Sequence, residues 1–327
     1  MDINQIAQMA GVSRATVSRY LNDGYVSQEK RAAIKRVIDE TGYVPSQYAK
    51  SLRTGKSNVV GVIIPKINSA SVSRMVSGMT SVLNEAGYQT LLANTENDST
   101  KEVDFLRLFS EKNQVDGIIL IGTVFSPAHE EIIKSIKVPL VVLNQSHPGK
   151  SCVYQNNEGA VHDITSLVLE KGNRPAYIGV HEEEGAAGRR SHKGFLEACR
   201  EHGVEVPENA QVVAVSTVDS GYEATEKILA AYPELDTLVC STDSIAYGAI
   251  ACLSEHGIRV PDDVQVTGIG DGDLSLIVTP SLTTVHPYFK TSGIEAAKML
   301  VGLITETDVH QREIRMGYEV VVRGSTR

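Results

Sequence analysis

The 327-residue sequence has no tryptophan, only five phenylalanines and only four cysteines. Cys152, Cys199, Cys240 and Cys252 are scattered, with no Cys-x-x-Cys pair and no histidine at ligand spacing. They read as thiols of a reducing compartment, neither a disulfide framework nor a metal set. No run of about 18 apolar residues occurs, so no membrane-spanning helix is expected. The amino terminus lacks the basic start and apolar core of a secretory signal, which argues against export and for the cytoplasm. Catalytic motifs are missing too: there is no Gly-x-Ser-x-Gly elbow, no His-Glu-x-x-His and no paired-carboxylate motif. Gly268 to Asp273 is glycine-rich but fails Gly-x-Gly-x-x-Gly, and His181 stands before three glutamates without metal spacing. Gly55-Lys56-Ser57 has Lys50 where a phosphate loop needs its first glycine. Neither enzyme activity, nor a cofactor, nor a metal is expected.

What is present is an ordinary globular composition, 42% hydrophobic and 22% charged, long enough for two or three domains. The net charge of −9 is unevenly spread. Residues 1–57 carry nine Lys and Arg against five acids, a balance of +4, and the remainder carries 22 against 35, a balance of −13. A basic head on an acidic body suits a protein that offers only its head to a polyanion.

The head has its own pattern. Ile3, Ile6, Ala7 and Ala10 fall at i, i+3, i+4 and i+7, one apolar stripe of a short helix. Gly11 can end that helix in a tight turn, Val12 fills the corner, and Ser13 can cap a second helix. There Val17 and Leu21 face inward, while Arg14, Ala15, Ser18 and Arg19 face out. This is the helix-turn-helix layout that enters a DNA major groove. Ser27 can cap a third helix to about Glu40 with Ile34, Val37 and Ile38 as its apolar face, and Gly42 ends it. The stretch Pro45-Ser46-Gln47-Tyr48-Ala49-Lys50-Ser51-Leu52-Arg53 is long enough for about two helical turns. A helix that short is unstable alone in water, so it would form only when clamped between DNA and a partner copy.

Residues 3–57 resemble the DNA-binding head of the lactose-repressor (LacI/GalR) family of bacterial regulators. The resemblance rests on Ile6-Ala7, Ala10-Gly11-Val12-Ser13, Thr16-Val17-Ser18-Arg19, Leu21-Asn22, Gly42-Tyr43, Pro45, Ala49 and Leu52. It implies a DNA contact set of Ser13, Arg14, Ala15, Thr16, Ser18, Arg19, Asn22, Ser46, Tyr48, Ala49 and Leu52. Arg14, Ala15 and Arg19 would read base edges, and Leu52 would wedge into the minor groove. Ser46 stands where the family usually has asparagine. The implied domains are a helix-turn-helix head over 1–45, a hinge over 46–58, and an effector-binding and dimerisation body over 59–327.

In the body, short apolar runs alternate with helical stretches, the pattern of parallel α/β units. The runs are 59–64, 90–93, 117–121, 140–143, 176–180, 212–215, 237–240 and 264–269. Helices are expected over 71–85, 103–112, 130–134, 161–171, 195–202, 222–232, 244–256 and 291–304. Eight units divided around Asn156 to Gly159 imply two lobes with a ligand crevice at the carboxyl ends of their strands. The body resembles the family's effector domain, itself similar to periplasmic sugar-binding proteins. Lobe 1 is placed at about 59–157 and 288–317, lobe 2 at about 158–287 and 318–327, with a final strand near 318–322.

Loops after the strands nominate Lys66, Asn68, Ser69, Thr123, Asn144, Arg189, Arg190, Tyr222, Asp243 and Asp271 as effector contacts. Two positions depart from the family: Ser191 replaces a common arginine, and Gly270 replaces the first of two aspartates. Lys66 on one lobe and Arg189-Arg190 in a loop of the other suit a phosphate. Together with Tyr154, Glu158-Gly159 and Thr242-Asp243-Ser244, they resemble the trehalose-operon repressors of the family. Thr284-Val285-His286 resembles the sucrose-operon repressors. The resulting expectation is a homodimeric repressor of a sugar-utilisation operon, released from a palindromic operator by trehalose 6-phosphate or sucrose 6-phosphate. A global carbon regulator answering to a phosphorylated protein, and a regulator with a neutral-sugar or purine effector, remain open alternatives. A transport binding protein would share the body but not the head.

Overall fold

The computed structural model describes residues 1–43, 56–111, 114–122, 125–180, 188–306 and 310–327. Its contacts separate a unit built on Met1–Asn58 from one built on the chain from Val59 onward.

The first unit has three helices, α1 (Ile3–Met9), α2 (Arg14–Tyr20) and α3 (Gln28–Thr41). Asp2 caps α1 by accepting from the Asn4 and Gln5 amides at 2.8 and 2.9 Å, and Gln5 Oε1 accepts from the Asp2 amide at 2.8 Å. This reciprocal box satisfies amides that the first turn leaves over. The Gln5 and Asn4 amides in turn hold the Asp2 carboxyl below its ordinary range. Gly11 at φ 64° and Gly42 at φ 62° take the left-handed turns that close α1 and α3. Ile6, Ala7, Val17, Val26, Ile34 and Val37 are buried together, with Val12 and Leu21 packed at the rim.

The second unit alternates strands and helices. It runs β1 (Val59–Ile64), α4 (Ala70–Glu85), β2 (Gln89–Asn94), α5 (Ser99–Ser110), β3 (Gly117–Ile121), α6 (Pro127–Ser135), β4 (Leu140–Leu143) and β5 (Ser151–Gln155). Next come α7 (Asn157–Leu169), β6 (Pro175–Gly179), α8 (Arg189–Glu201), β7 (Gln211–Val213), α9 (Val218–Ala231), β8 (Thr237–Cys240), α10 (Asp243–Glu255) and β9 (Gln265–Ile269). It closes with α11 (Leu274–Ile277), β10 (Thr283–Pro287), α12 (Phe289–Thr305), β11 (Glu313–Met316) and β12 (Tyr318–Val321).

Two six-stranded sheets result, ordered β11-β5-β4-β3-β1-β2 and β12-β10-β9-β8-β6-β7. Every pairing is parallel except β10 with β12. All eight expected apolar runs fall on strands, although β7 takes only Val212 and Val213 of the run 212–215. β5, β10 and β11 were not expected as strands, because SCVYQ, TTVHP and EIRM carry no continuous apolar run. Helices α5 to α9 begin three to six residues before the expected positions, and α10 begins one residue before. Their first turns are polar and lie outside the apolar period.

Neighbouring helices pack on one another through close backbone contacts. A Cβ added at Gly78 of α4 would lie 2.1 Å from Lys290 O, and one at Gly293 of α12 would lie 2.1 Å from Met75 O. In lobe 2, a Cβ at Gly194 of α8 would lie 2.2 Å from Glu158 O of α7. Gly194 therefore serves helix packing, and Phe195 beside it is fully buried.

Candidate functional site

In the head, the exposed face of α2 is set by its cap and its buried side. The Ser13 hydroxyl accepts from the Thr16 amide at 3.2 Å and lies 2.9 Å from the Thr16 hydroxyl. Val17 anchors the opposite face at 0% exposure. Ser13, Arg14, Ala15, Arg19 and Asn22 are exposed, and Thr16 and Ser18 are half-buried. The Asn22 amide group donates to Ser18 O, tying the loop after α2 back to the helix. Arg31 of α3 lies over the Tyr20 ring, 5.3 Å from its centroid. The helix thus offers two cations and small polar groups on one rigid surface. Ser46, Tyr48, Ala49 and Leu52, and with them the expected hinge helix, lie outside the described residues.

In the body, sheet order locates the candidate crevice. Strand order reverses between β1 and β3 in lobe 1 and between β6 and β8 in lobe 2. A doubly wound sheet opens its crevice at such switch points, beyond the strand carboxyl ends. Lys66, Asn68 and Ser69 follow β1 there; Lys66 and Ser69 are half-buried and Asn68 is exposed. The Lys66 and Asn68 side chains have no hydrogen-bond partner among the described residues, and Ser69 Oγ lies 3.0 Å from Ser71 Oγ. Thr123, after β3, lies outside the described residues. Asn144 follows β4 with φ 77°, and its amide donates to Val153 O at 2.8 Å.

Lobe 2 places several nominated residues differently from expectation. Residues 189–193 form the first turns of α8 and not a loop. Successive helical residues point about 100° apart, so Arg189 and Arg190 diverge. Arg190 crosses to lobe 1, donating to Ser146 Oγ at 3.0 Å with its guanidinium 5.3 Å from the Tyr154 ring centroid. Arg189 lies with His192, Lys193, Leu196 and Arg200 along the outer face of α8. Asp243, the first residue of α10, is 6% exposed. Its carboxylate accepts from the Gly272 amide at 2.8 Å, from Ser275 Oγ at 3.0 Å and from the Thr284 hydroxyl. Burial pushes this carboxyl up, against the pull of those donors. Asp243 is therefore a buried brace for the loop after β9, with its oxygens already occupied.

Asp271 is engaged as well. Its carboxylate takes Arg323 on one oxygen and, at 2.7 Å, His286 Nδ1 on the other. Burial alone would raise it, but those two partners outweigh burial and hold it below the usual range. The Tyr222 hydroxyl donates to Glu255 at 2.7 Å, which pushes its own pKa up to about 12. Glu255 ends α10, about 18 Å of helix from the Thr242–Asp243 loop, so this hydroxyl is turned away from the crevice.

The most consequential residue missed in the sequence is Arg74. From α4 of lobe 1 it donates to the carbonyl oxygens of Gly270 and Asp271 in lobe 2, at 2.8 and 2.7 Å. The available signal was its isolation: it is the one charged residue in ASVSRMVSGMTSVLN, a largely apolar and small-residue helix. Arg323 was missed for want of any motif around it. Among the described residues no His, Cys, Asp and Glu group is arranged to hold a metal ion, and no helix is long and apolar enough to cross a membrane.

Comparison with known proteins agrees with this architecture. Residues 2–46 match the bacterial regulatory proteins of the lacI family, and residues 165–326 match a periplasmic binding protein-like domain. The sucrose operon repressor of Staphylococcus xylosus is 32% identical over 320 residues, covering 96% of this chain and 97% of that protein. The HTH-type transcriptional regulator TreR of Salmonella typhimurium is 30% identical over 303 residues, covering 92% and 93%. Among solved structures, a complex of the transcriptional regulator CelR with cellobiose superposes with a TM-score of 0.76 at 26% identity, over 99% of both chains. An α2 that presents Arg14 and Arg19 from a capped three-helix head, a two-lobed body and full-length similarity converge on one conclusion: the chain belongs to the lacI family of bacterial regulatory proteins, transcriptional repressors that bind DNA and not enzymes.

Proposed function

We propose that the protein represses a sugar-utilisation operon in the cytoplasm, binding a palindromic operator as a homodimer and releasing it when a disaccharide phosphate enters the interlobe crevice. A two-fold symmetric operator needs two heads related by the same symmetry, which is the reason for a dimer. Each head reads bases with Arg14, Ala15 and Arg19, while residues 46–53 form the helix of the 46–58 hinge and Leu52 wedges into the minor groove. Ligand closure shifts the lobes, the hinge loses its helix, and Leu52 withdraws. With roughly 6–10 phosphate contacts, operator affinity falls about 10³–10⁵-fold between 50 and 200 mM salt.

The observation that carries the ligand class is the cationic pair on the two sides of the crevice. Lys66 follows β1 on lobe 1, and Arg190 reaches from α8 to Ser146 and Tyr154. Arginine's fork and lysine's point charge suit a phosphate, and the Tyr154 ring offers a stacking surface to a sugar. The similarity to a sucrose operon repressor supports a disaccharide as the sugar part of that ligand.

Calorimetry with trehalose 6-phosphate, sucrose 6-phosphate and the two free sugars tests the reading. Tighter binding of one phosphate than of its parent sugar, with release of a footprinted palindrome, is the expected result. Equal affinity for sugar and phosphate removes the phosphate, and strengthened operator binding reverses the sign of the switch. Leu52→Ala is expected to weaken operator binding more than nonspecific DNA binding; equal losses remove the wedge.

A further inference from the structure

Two side chains cross the crevice in opposite directions, Arg190 from lobe 2 and Arg74 from lobe 1. The second is the more specific fit. Arg74 stands in α4 five residues beyond Ser69, so it is rigidly continuous with the loop that follows β1. Its two terminal nitrogens each take a different main-chain carbonyl, those of Gly270 and Asp271, at 2.8 and 2.7 Å. Consecutive carbonyls of an extended strand point in opposite directions. Here both turn toward one guanidinium because Gly270 adopts φ 143° and Asp271 φ 49°. The first of these is a conformation that side-chain-bearing residues rarely take. A Cβ at Gly270 would also lie 3.2 Å from Asp243 Oδ2. The glycine that replaces the family's usual aspartate is thus the residue that lets this loop present a carbonyl fork.

The receiving loop is held from below. Gly272 and Ser275 donate to Asp243, the Asp271 carboxylate is fixed by Arg323 and His286, and the Gly270 amide donates to Val285 O at 2.9 Å. Arg74 therefore docks lobe 1 onto a ledge that cannot easily follow it. Charge-assisted bonds from a planar fork to two fixed acceptors specify distance and angle together, which a lysine point charge cannot do.

We infer that Arg74, with Gly270 as its receptor, is a positioning residue that sets the separation of the two lobes across the effector crevice. Because its helix starts at the Lys66–Ser69 loop, displacement of that loop and release of the clamp are one motion. The inference concerns lobe geometry and stands whichever ligand the crevice takes.

The test uses the full chain with spin labels on Asn84→Cys of lobe 1 and Glu223→Cys of lobe 2, both exposed, against buried native thiols. Labelled protein is diluted with unlabelled protein so that pulsed dipolar spectroscopy reads distances within one chain. Arg74→Gln is expected to broaden or displace the distance distribution, Arg74→Lys to fall between it and the parent. Arg107→Gln, which removes a surface pair with Asp104 on the same lobe, is expected to leave it unchanged. Urea unfolding of each variant separates lobe positioning from a loss of stability, since weaker folding alone moves the midpoint and not the distribution. A parental distribution for Arg74→Gln overturns the inference. Should that variant not fold, a parental distribution for Arg74→Lys does the same.

Discussion

The two lobes share a sheet order and differ in how their crevice loops are held. In lobe 2, Asp243, Ser275, Thr284, Asp271, His286 and Arg323 form one connected set of hydrogen bonds beneath the loop after β9. In lobe 1, the loop after β1 presents Lys66 and Asn68 with no described side-chain partner. A polar residue whose bonds are satisfied internally shapes a site without being available to a ligand, whereas one without them has its donors to offer. Lobe 2 thus supplies a fixed wall, and lobe 1 supplies groups that can adapt.

The comparison breaks first at Asp243. Asp243→Ala strands three buried or half-buried donors and is expected to cost about 3 kcal/mol in urea unfolding. Lys66→Ala is expected to stay within about 0.5 kcal/mol. Equal losses would mean the two walls are built alike. Next in size is ligand affinity under the phosphate reading. Calorimetry should show about a tenfold loss, about 1.4 kcal/mol, for Arg190→Ala, and little change for Arg189→Ala on the outer face of α8. Similar losses for both would place the outer face of α8 in the binding surface.

Smaller effects should follow pH. Asp271 has a depressed folded pKa, so its contribution is full above the ordinary carboxylate value of about 3.9 and is lost as pH falls through the depressed value. Replacing Arg323 by Gln should therefore flatten part of the acid limb of an unfolding-versus-pH curve, and an unaltered limb would detach Asp271 from the wall's stability. His162 has the opposite sign. The Asp163 and Glu201 carboxylates raise it, so its contribution is complete below about 6.5 and fades as pH rises through the raised value. Partial exposure keeps this contribution small. His162→Gln should remove a slight decline in urea midpoint between pH 6 and 8, and a decline that persists assigns it elsewhere.

The sequence was most readable where apolar spacing is strong. Val59–Ile64, Gly117–Ile121 and Leu140–Leu143 coincide residue for residue with expectation, because strands covered on both faces are continuous in Val, Ile and Leu. Strands completed by polar residues, such as Glu313–Met316, give no such signal. The crevice was legible as a set of loops but not as directions. Asp243 and Tyr222 are polar residues near strand ends, yet their partners lie dozens of residues away in sequence, at Thr284 and Glu255. Arg189 and Arg190 read alike until helical geometry separates them. Arg74 was hidden because its acceptors are main-chain oxygens, which no residue pattern advertises.

Strands β11 and β12 are separated by Gly317 alone, yet each borders a different sheet. The head can close its core as soon as residues 3–41 have left the ribosome. Neither lobe can finish its edge until the same short segment of nascent chain emerges, so the two edges are completed together. A frameshift or premature stop just before Glu313 would therefore release a polypeptide whose DNA-reading head is intact and whose sensor has two raw edges open to aggregation.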